Sequence, residues 1–336
     1  MTHDSSSGGA SASNAGALDC LCAGILVADH LCAPIDHMPA AGELVLTDEL
    51  PLAIGGCAAN TAIDLAGLDV RVGILGCVGS DPFGAFVVDT LAGKGIDTRH
   101  VRRVADLGTS GTLIINVRGQ DRRFIHMIGA NAALRAEDIA ADLVARAKVL
   151  YVGGYLLMPG LRPEGLATLF RQARRSGVRT VLDVVMPDEK DYWTDVAPVL
   201  AETDVFLPND DEAQALTGLK DPLAQAERFL AAGAGAAVIT CGEQGTVLAT
   251  RQAGETLRVK AGVFDVPFVG GTGAGDAFTA GYITGMLQGL DPLGCLRWGS
   301  ALGASCVRGI GATDTVFSRQ EAQRFLAEHE LRISQA

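Results

Sequence analysis

The sequence predicts an α/β protein, with a mainly parallel sheet, helices on both of its faces, and a smaller sheet beside it. Three observations carry this. Short apolar runs alternate with helical patterns through the second half of the chain, the pattern of successive βαβ units. Glycine-rich turns at 55–60 and 269–276 each lead directly into a helical pattern. Two β-rich runs, 111–117 and 122–127, are joined by Arg118-Gly119-Gln120-Asp121 and read as a hairpin outside that alternation.

The totals bound the answer. A chain of 336 residues exceeds the roughly 250–300 at which a single core stops growing. One large domain with an accessory element, or two domains, is therefore expected. A net charge of -12 argues against a general nucleic-acid binder, which needs a basic face. A local basic patch for a small anionic substrate remains compatible with it. No apolar run reaches the length of a membrane span. The eight cysteines show no paired metal-binding spacing, and Cys20 and Cys22 share one face of a strand. They read as reduced thiols of a cytoplasmic protein, without zinc. Residues 1–17 are rich in Ser, Gly and Ala and lack a basic signal-peptide start, so a disordered tail is expected before a domain at 18–330.

In chain order, 18–27 reads as one buried strand with Asp29 just beyond it. A carboxylate past a strand's carboxyl end stands where open α/β sheets bind ligands; a solvated loop Asp is the plainer reading. Residues 30–54 contain Pro34, Pro39 and Pro51 and short alternating runs such as 43–46, which suggests a few exposed strands. Gly55 and Gly56 then let the backbone approach a ligand, and Asn60 offers both a donor and an acceptor. Residues 70–78 read as a strand, with a helix from Pro82 to Gly93. Strands follow at 149–152, 180–184, 204–207 and 236–240, with helices at 163–176 and from Asn209.

Three stations carry chemistry. Asn209 and Glu212 stand three apart on one helical face, suited either to holding magnesium through water or to an N-terminal capping box. The turn 240–245, with Thr240, Gly242 and Gly245, reads either as a nucleotide border or as a plain hairpin. The stretch from Val269 to Phe278 puts four glycines in seven residues before an apolar helix. Unpaired N–H groups at such a helix start make an anion site. Asp276 in the first turn is then placed to take a proton from an attacking hydroxyl, or else is only a cap. The sequence lacks the P-loop pattern, the protein-kinase motifs and a dinucleotide fingerprint after the first strand.

Taken together, these stretches resemble the ribokinase-like (PfkB) family of carbohydrate kinases, from about residue 18 to about 326. Gly55-Gly56-Cys57-Ala58-Ala59-Asn60 through Gly76 is similar to the family's N-terminal signature, and Gly271-Thr272-Gly273-Ala274-Gly275-Asp276 to its C-terminal one. Gly129-Ala130-Asn131-Ala132, Asn209-x-x-Glu212 and Thr240-x-Gly242-x-x-Gly245 fall in order between them. The resemblance implies a Rossmann-type three-layer α/β/α sandwich with a small β-sheet lid, drawn from about 30–54 and 111–127. It implies ATP and Mg2+, a sugar substrate, and a homodimer through the lid. Asp276 would be the catalytic base, and the N–H groups of Gly273, Ala274 and Gly275 would stabilise the transferring phosphoryl group. Asp29, Gly55, Gly56 and Asn60 would hold the sugar. Asn209 and Glu212 would organise Mg2+ and phosphates, while Thr240, Gly242, Gly245 and Thr272 would border the nucleotide. Adenosine-type nucleoside kinases share this fold, and a silent sugar-binding regulator on it is the reading from another class.

Departures from the pattern matter as well. Gly270 stands where relatives often place an Asp that helps bind a monovalent cation, which puts potassium (K+) activation in question. Cys57 replaces a Lys usual in true ribokinases. Gly153-Gly154-Tyr155 lacks a sugar-binding Glu, and Asp183 lacks the Asn and Arg that follow it in other sugar kinases. The identity of the sugar is left open.

Overall fold

The computed structural model describes residues 17–120, 123–252 and 254–336. The predicted tail at 1–17 lies outside them except for Ala17, as do Asp121 and Arg122 of the predicted hairpin. The strands are β1 (Cys20–Gly24), β2 (Val27–Ile35), β3 (Leu52–Gly55), β4 (Val72–Gly79), β5 (Asp97–Val104), β6 (Gly111–Val117) and β7 (Arg123–Met127). They continue with β8 (Val149–Gly153), β9 (Arg179–Leu182), β10 (Val205–Phe206), β11 (Ala236–Thr240), β12 (Thr246–Gln252), β13 (Glu255–Ala261) and β14 (Ile333–Gln335).

Ten of these form one sheet in the order β14-β13-β12-β11-β10-β9-β8-β1-β4-β5, and four form a small sheet, β3-β2-β6-β7. From β5 to β11 every pairing in the large sheet is parallel; β12, β13 and β14 add an antiparallel edge. β1 alternates its side chains between two cores. Cys20 and Cys22 pack with helices Cys57–Gly67, Pro82–Gly93, Ala274–Leu287 and Pro292–Cys306. Leu21 and Ala23 pack with helices Pro163–Arg175, Trp193–Leu200 and Pro222–Ala231 on the other face. Period-two burial on both faces is what a central strand covered by two helical layers requires.

The predicted strand at 18–27 is two strands in two sheets. The chain leaves the large sheet at Gly24, with φ 149°, and enters the small sheet at Val27. Asn131 pins this crossover: its Oδ1 accepts from the Leu26 N–H and its Nδ2 donates to the Leu26 carbonyl, both at 3.1 Å. Asp29 consequently lies inside β2, opposite Ala53 and Thr112, rather than in a loop beyond a strand. The expected run at 43–46 forms no strand, and Leu44 and Leu46 are 84% and 81% exposed. β5 was not expected because Asp-Thr-Arg-His-Val-Arg-Arg-Val reads as polar. It is an edge strand, where charged side chains are the usual protection against further pairing.

Candidate active site

The parallel strands all end on one edge of the large sheet. β1 sits between β8 and β4, so the connections diverge there, the place where open α/β sheets leave a crevice. A cavity of about 150 Å³ opens at this edge. Asp183 follows β9, Asn209 and Glu212 follow β10, and Thr240 ends β11. Cys57 opens one helix onto the cavity, and Gly273, Gly275 and Asp276 open another.

Local chemistry explains the glycines. Gly273 caps helix Ala274–Leu287 in the left-handed region, at φ 79°. A Cβ there would stand 2.3 Å from the Ala312 carbonyl oxygen, so only glycine fits. Ala274 is the first residue of the helix but does not line the cavity, and its N–H donates to the Gly271 carbonyl at 3.3 Å. Gly55 makes room of another kind, since a Cβ on it would lie 1.9 Å from Asp29 Oδ2. Gly56 caps helix Cys57–Gly67 at φ 94°.

Asp276 is half-buried in the third position of its helix. Asn60 Nδ2 donates to its Oδ2 at 2.8 Å, and the Thr61 hydroxyl donates to its carbonyl at 3.4 Å. Burial raises the Asp276 pKa to about 6; hydrogen bonds from Asn60 and Cys57 oppose the rise, and the charge of Asp29 adds to it. Two acceptor atoms nearby, Asp29 Oδ1 and Asn60 Oδ1, are buried with no hydrogen-bond partner. Unpaired buried acceptors are rare, and a ligand donor is one way to satisfy them.

Two further carboxylates face the same cavity. Asp183 accepts from the Gly154 N–H at 3.3 Å and from the Tyr151 hydroxyl at 3.4 Å. Burial, then the charges of Glu212 and Asp276, hold its pKa well above the usual carboxylate range. Glu212 is raised to about 7, chiefly by burial. Asn209 and Glu212 do form the capping box: Asn209 Oδ1 accepts from the Glu212 N–H at 2.8 Å, and Glu212 Oε2 accepts from the Asn209 N–H at 2.9 Å. Both residues line the cavity as well, so the two sequence readings are not exclusive. No Lys, Arg or His is among the lining residues. Three converging carboxylates without a cationic neighbour suit a hard divalent ion such as Mg2+.

The expected residues separate on inspection. Asp276, Gly273, Gly275, Asn209, Glu212 and Thr240 line the cavity. Asn60 joins them through its bond to Asp276, and Asp29 through its charge. Gly242, Gly245 and Thr272 do not line it. Gly242 begins a single 3-10 turn joining the antiparallel β11 and β12, and Gly245 is buried beneath the end of β13. Thr272 receives the Cys306 thiol on its carbonyl at 3.2 Å. Cys57 and Asp183 line the cavity but had no place in the expected site. Asp183 carried a usable signal, since it directly follows a parallel strand. Cys57 carried none beyond its place after two glycines.

A profile of the pfkB family of carbohydrate kinases matches residues 17–318. The chain belongs to this family. As a pfkB-family kinase it is a phosphotransferase acting on a sugar-type substrate. It is 28% identical to a ribokinase of Haemophilus influenzae over 314 residues, covering 91% of this chain and 97% of that protein. It is 27% identical to a 5-dehydro-2-deoxygluconokinase of Clostridium perfringens over 292 residues, covering 82% and 85%. The fold of this pfkB-family chain matches the solved structure of an Arabidopsis thaliana ribokinase complexed with ribose and ATP. That match has a TM-score of 0.78, 23% identity, and coverage of 92% of this chain and 99% of that one. A putative ribokinase II of E. coli in complex with ATP and Mg2+ matches with a TM-score of 0.76 and 21% identity, over 93% of this chain and 100% of that one.

Proposed function

We propose that this kinase transfers the γ-phosphate of ATP to a hydroxymethyl group of a monosaccharide, with Asp276 as general base. The observation that carries the reading is the placement of Asp276 at a helix N-terminus, bonded to Asn60 and beside the unpartnered oxygens of Asp29 and Asn60. Those two acceptors suit sugar hydroxyls. A base with pKa about 6 is ionised at neutral pH yet still takes a proton readily. The turn at Gly273, Ala274 and Gly275, at the positive end of the helix, suits the transferring phosphoryl group. Gly275 carries more of this than Ala274, whose N–H is already engaged.

When bound, Mg2+ would neutralise charge on the phosphates. Asn209 and Glu212 would hold it through water, and Asp183 extends that acidic wall. Thr240 forms a bridge with Asn209 and, with Thr272, Gly242 and Gly245, would border the nucleotide. The small sheet carries Asp29 and would act as a lid that excludes water from the acceptor. Its exposed apolar residues, Ile125 and Met127, together with Leu44 and Leu46 of the 36–51 segment, suit a homodimer formed through the lid. Eight free thiols suit the reducing cytoplasm, and no helix among the described residues is long and apolar enough to cross a membrane. Gly270 supplies no carboxylate for a monovalent cation, which leaves potassium activation in question.

ADP release measured with ribose, fructose, keto-deoxy-gluconate, 5-dehydro-2-deoxygluconate and adenosine tests it. Saturable turnover of at least one sugar is expected. Turnover of adenosine alone would make the protein a nucleoside kinase. Sugar binding without ADP release from any acceptor would make it a silent sugar-binding protein.

A further inference from the structure

We propose that Cys57, Asp183 and Asp276 form a binding site for Zn2+, and that the ion switches the kinase off by capturing its base. The second half rests on the function proposed above; the first does not. One ligand atom from each of the three residues lies within 4.8 Å of the other two. They come from three separate elements: the first turn of helix Cys57–Gly67, the residue after β9, and the first turn of helix Ala274–Leu287. No spacing in the sequence announces this set, because the fold assembles it.

The ligand chemistry is selective. Zn2+ takes thiolate at about 2.3 Å and carboxylate at about 2.0–2.2 Å, so the three atoms need to draw in by only about 1 Å around an ion between them. Mg2+ demands an octahedron of oxygens and does not favour sulfur. The thiol therefore favours Zn2+ at this end of the acidic wall, where Asp183 and Asp276 are shared with it. Three protein ligands leave a fourth position open to water. The outer shell is already in place: Asn60 Nδ2 holds Asp276 at 2.8 Å, and the Gly154 N–H and Tyr151 hydroxyl hold Asp183 at 3.3 and 3.4 Å. Such partners orient metal ligands and strengthen them. Cys57 is half-buried and lines the cavity, so the ion has an entry path. On binding, the metal replaces the thiol proton, which leaves to solvent. Among the described residues no other group of three His, Cys, Asp or Glu side chains offers such a set.

Titrating the full chain with Co2+ in excess Mg2+, without ATP or sugar, tests the site. A thiolate-to-cobalt charge-transfer band in the near ultraviolet is expected, and Zn2+ should displace it. Cys57→Ala should abolish the band with the circular dichroism spectrum unchanged. Asp183→Asn, which keeps the thiol, should retain the band and weaken Zn2+ affinity at least ~10-fold. No band in the parent protein, a band that survives Cys57→Ala, or an unchanged affinity in Asp183→Asn would overturn the proposal. In the active enzyme, Zn2+ should then abolish ADP release in excess Mg2+, and a chelator should restore it. Release that persists with Zn2+ bound would overturn the switch. A protein inactive on every sugar can still pass the cobalt test, and an active kinase can fail it, so the two readings stand or fall separately.

Discussion

At the scale of single residues, Asp276, the base proposed above, is held by a neighbour that lies 216 positions away in the chain. Asn60 Nδ2–H stabilises the ionised form of Asp276 and holds its pKa below what burial alone would impose. Asn60→Ala removes that donor. The acid limb of kcat/KM, expected near pH 6 with Asp276 as the base, should then move to higher pH, because the carboxylate becomes harder to ionise. A pH–rate profile of the variant checks this, and an unmoved limb would mean that Asn60 does not hold the base. Asn60 and Asp276 were legible as residue types beside glycine turns. Their bond was not, since nothing local in either stretch specifies the other. Gly245 has a second reason to be glycine that its motif position does not announce: at φ 89° a Cβ there would stand 2.0 Å from the Ala261 carbonyl oxygen.

At the scale of elements, helices Cys57–Gly67 and Ala274–Leu287 pack against each other and bring the two signatures together. Asp64, one turn beyond Asn60, is buried with neither carboxylate oxygen partnered. Burial, then the charge of Asp276, raises its pKa well above the usual carboxylate range. An acid with a raised folded pKa keeps its proton in the folded state. The stability it contributes is present at low pH and is lost as pH climbs above the unfolded value. Asp64→Asn, which cannot ionise, should therefore gain stability over the parent as pH rises, as measured by urea midpoints at pH 5 and pH 8, chosen as roughly bracketing values. Equal midpoints at both would contradict this placement. The βαβ alternation was legible because each buried parallel strand is a continuous apolar run. The crossover at Gly24 was not, because residues 20–27 stay free of polar side chains while the chain changes sheets. β5 was missed because an edge strand carries charge.

At the scale of the whole molecule, the large sheet presents an acidic cavity at its carboxyl edge, and the small sheet brings Asp29 to it from another side. A water-excluding lid and a dimer contact would draw on this same small sheet. Leu46, in the segment between β2 and β3, and Ile125, in β7, are 81% and 63% exposed in the single chain, and contiguous exposed apolar surface marks a protein contact. Sedimentation velocity should give twice the mass of one chain. Leu46→Asp combined with Ile125→Asp should give one chain of unchanged circular dichroism, and a parent protein that runs as a monomer would remove the dimer. The central claim is tested most directly by ADP release from Asp276→Asn on whichever sugar the parent turns over, with fold and ATP affinity verified. The account predicts a fall of ~10²–10⁴ in turnover, as for loss of a general base, with ATP binding kept. A folded Asp276→Asn that releases ADP at the parent rate would contradict it.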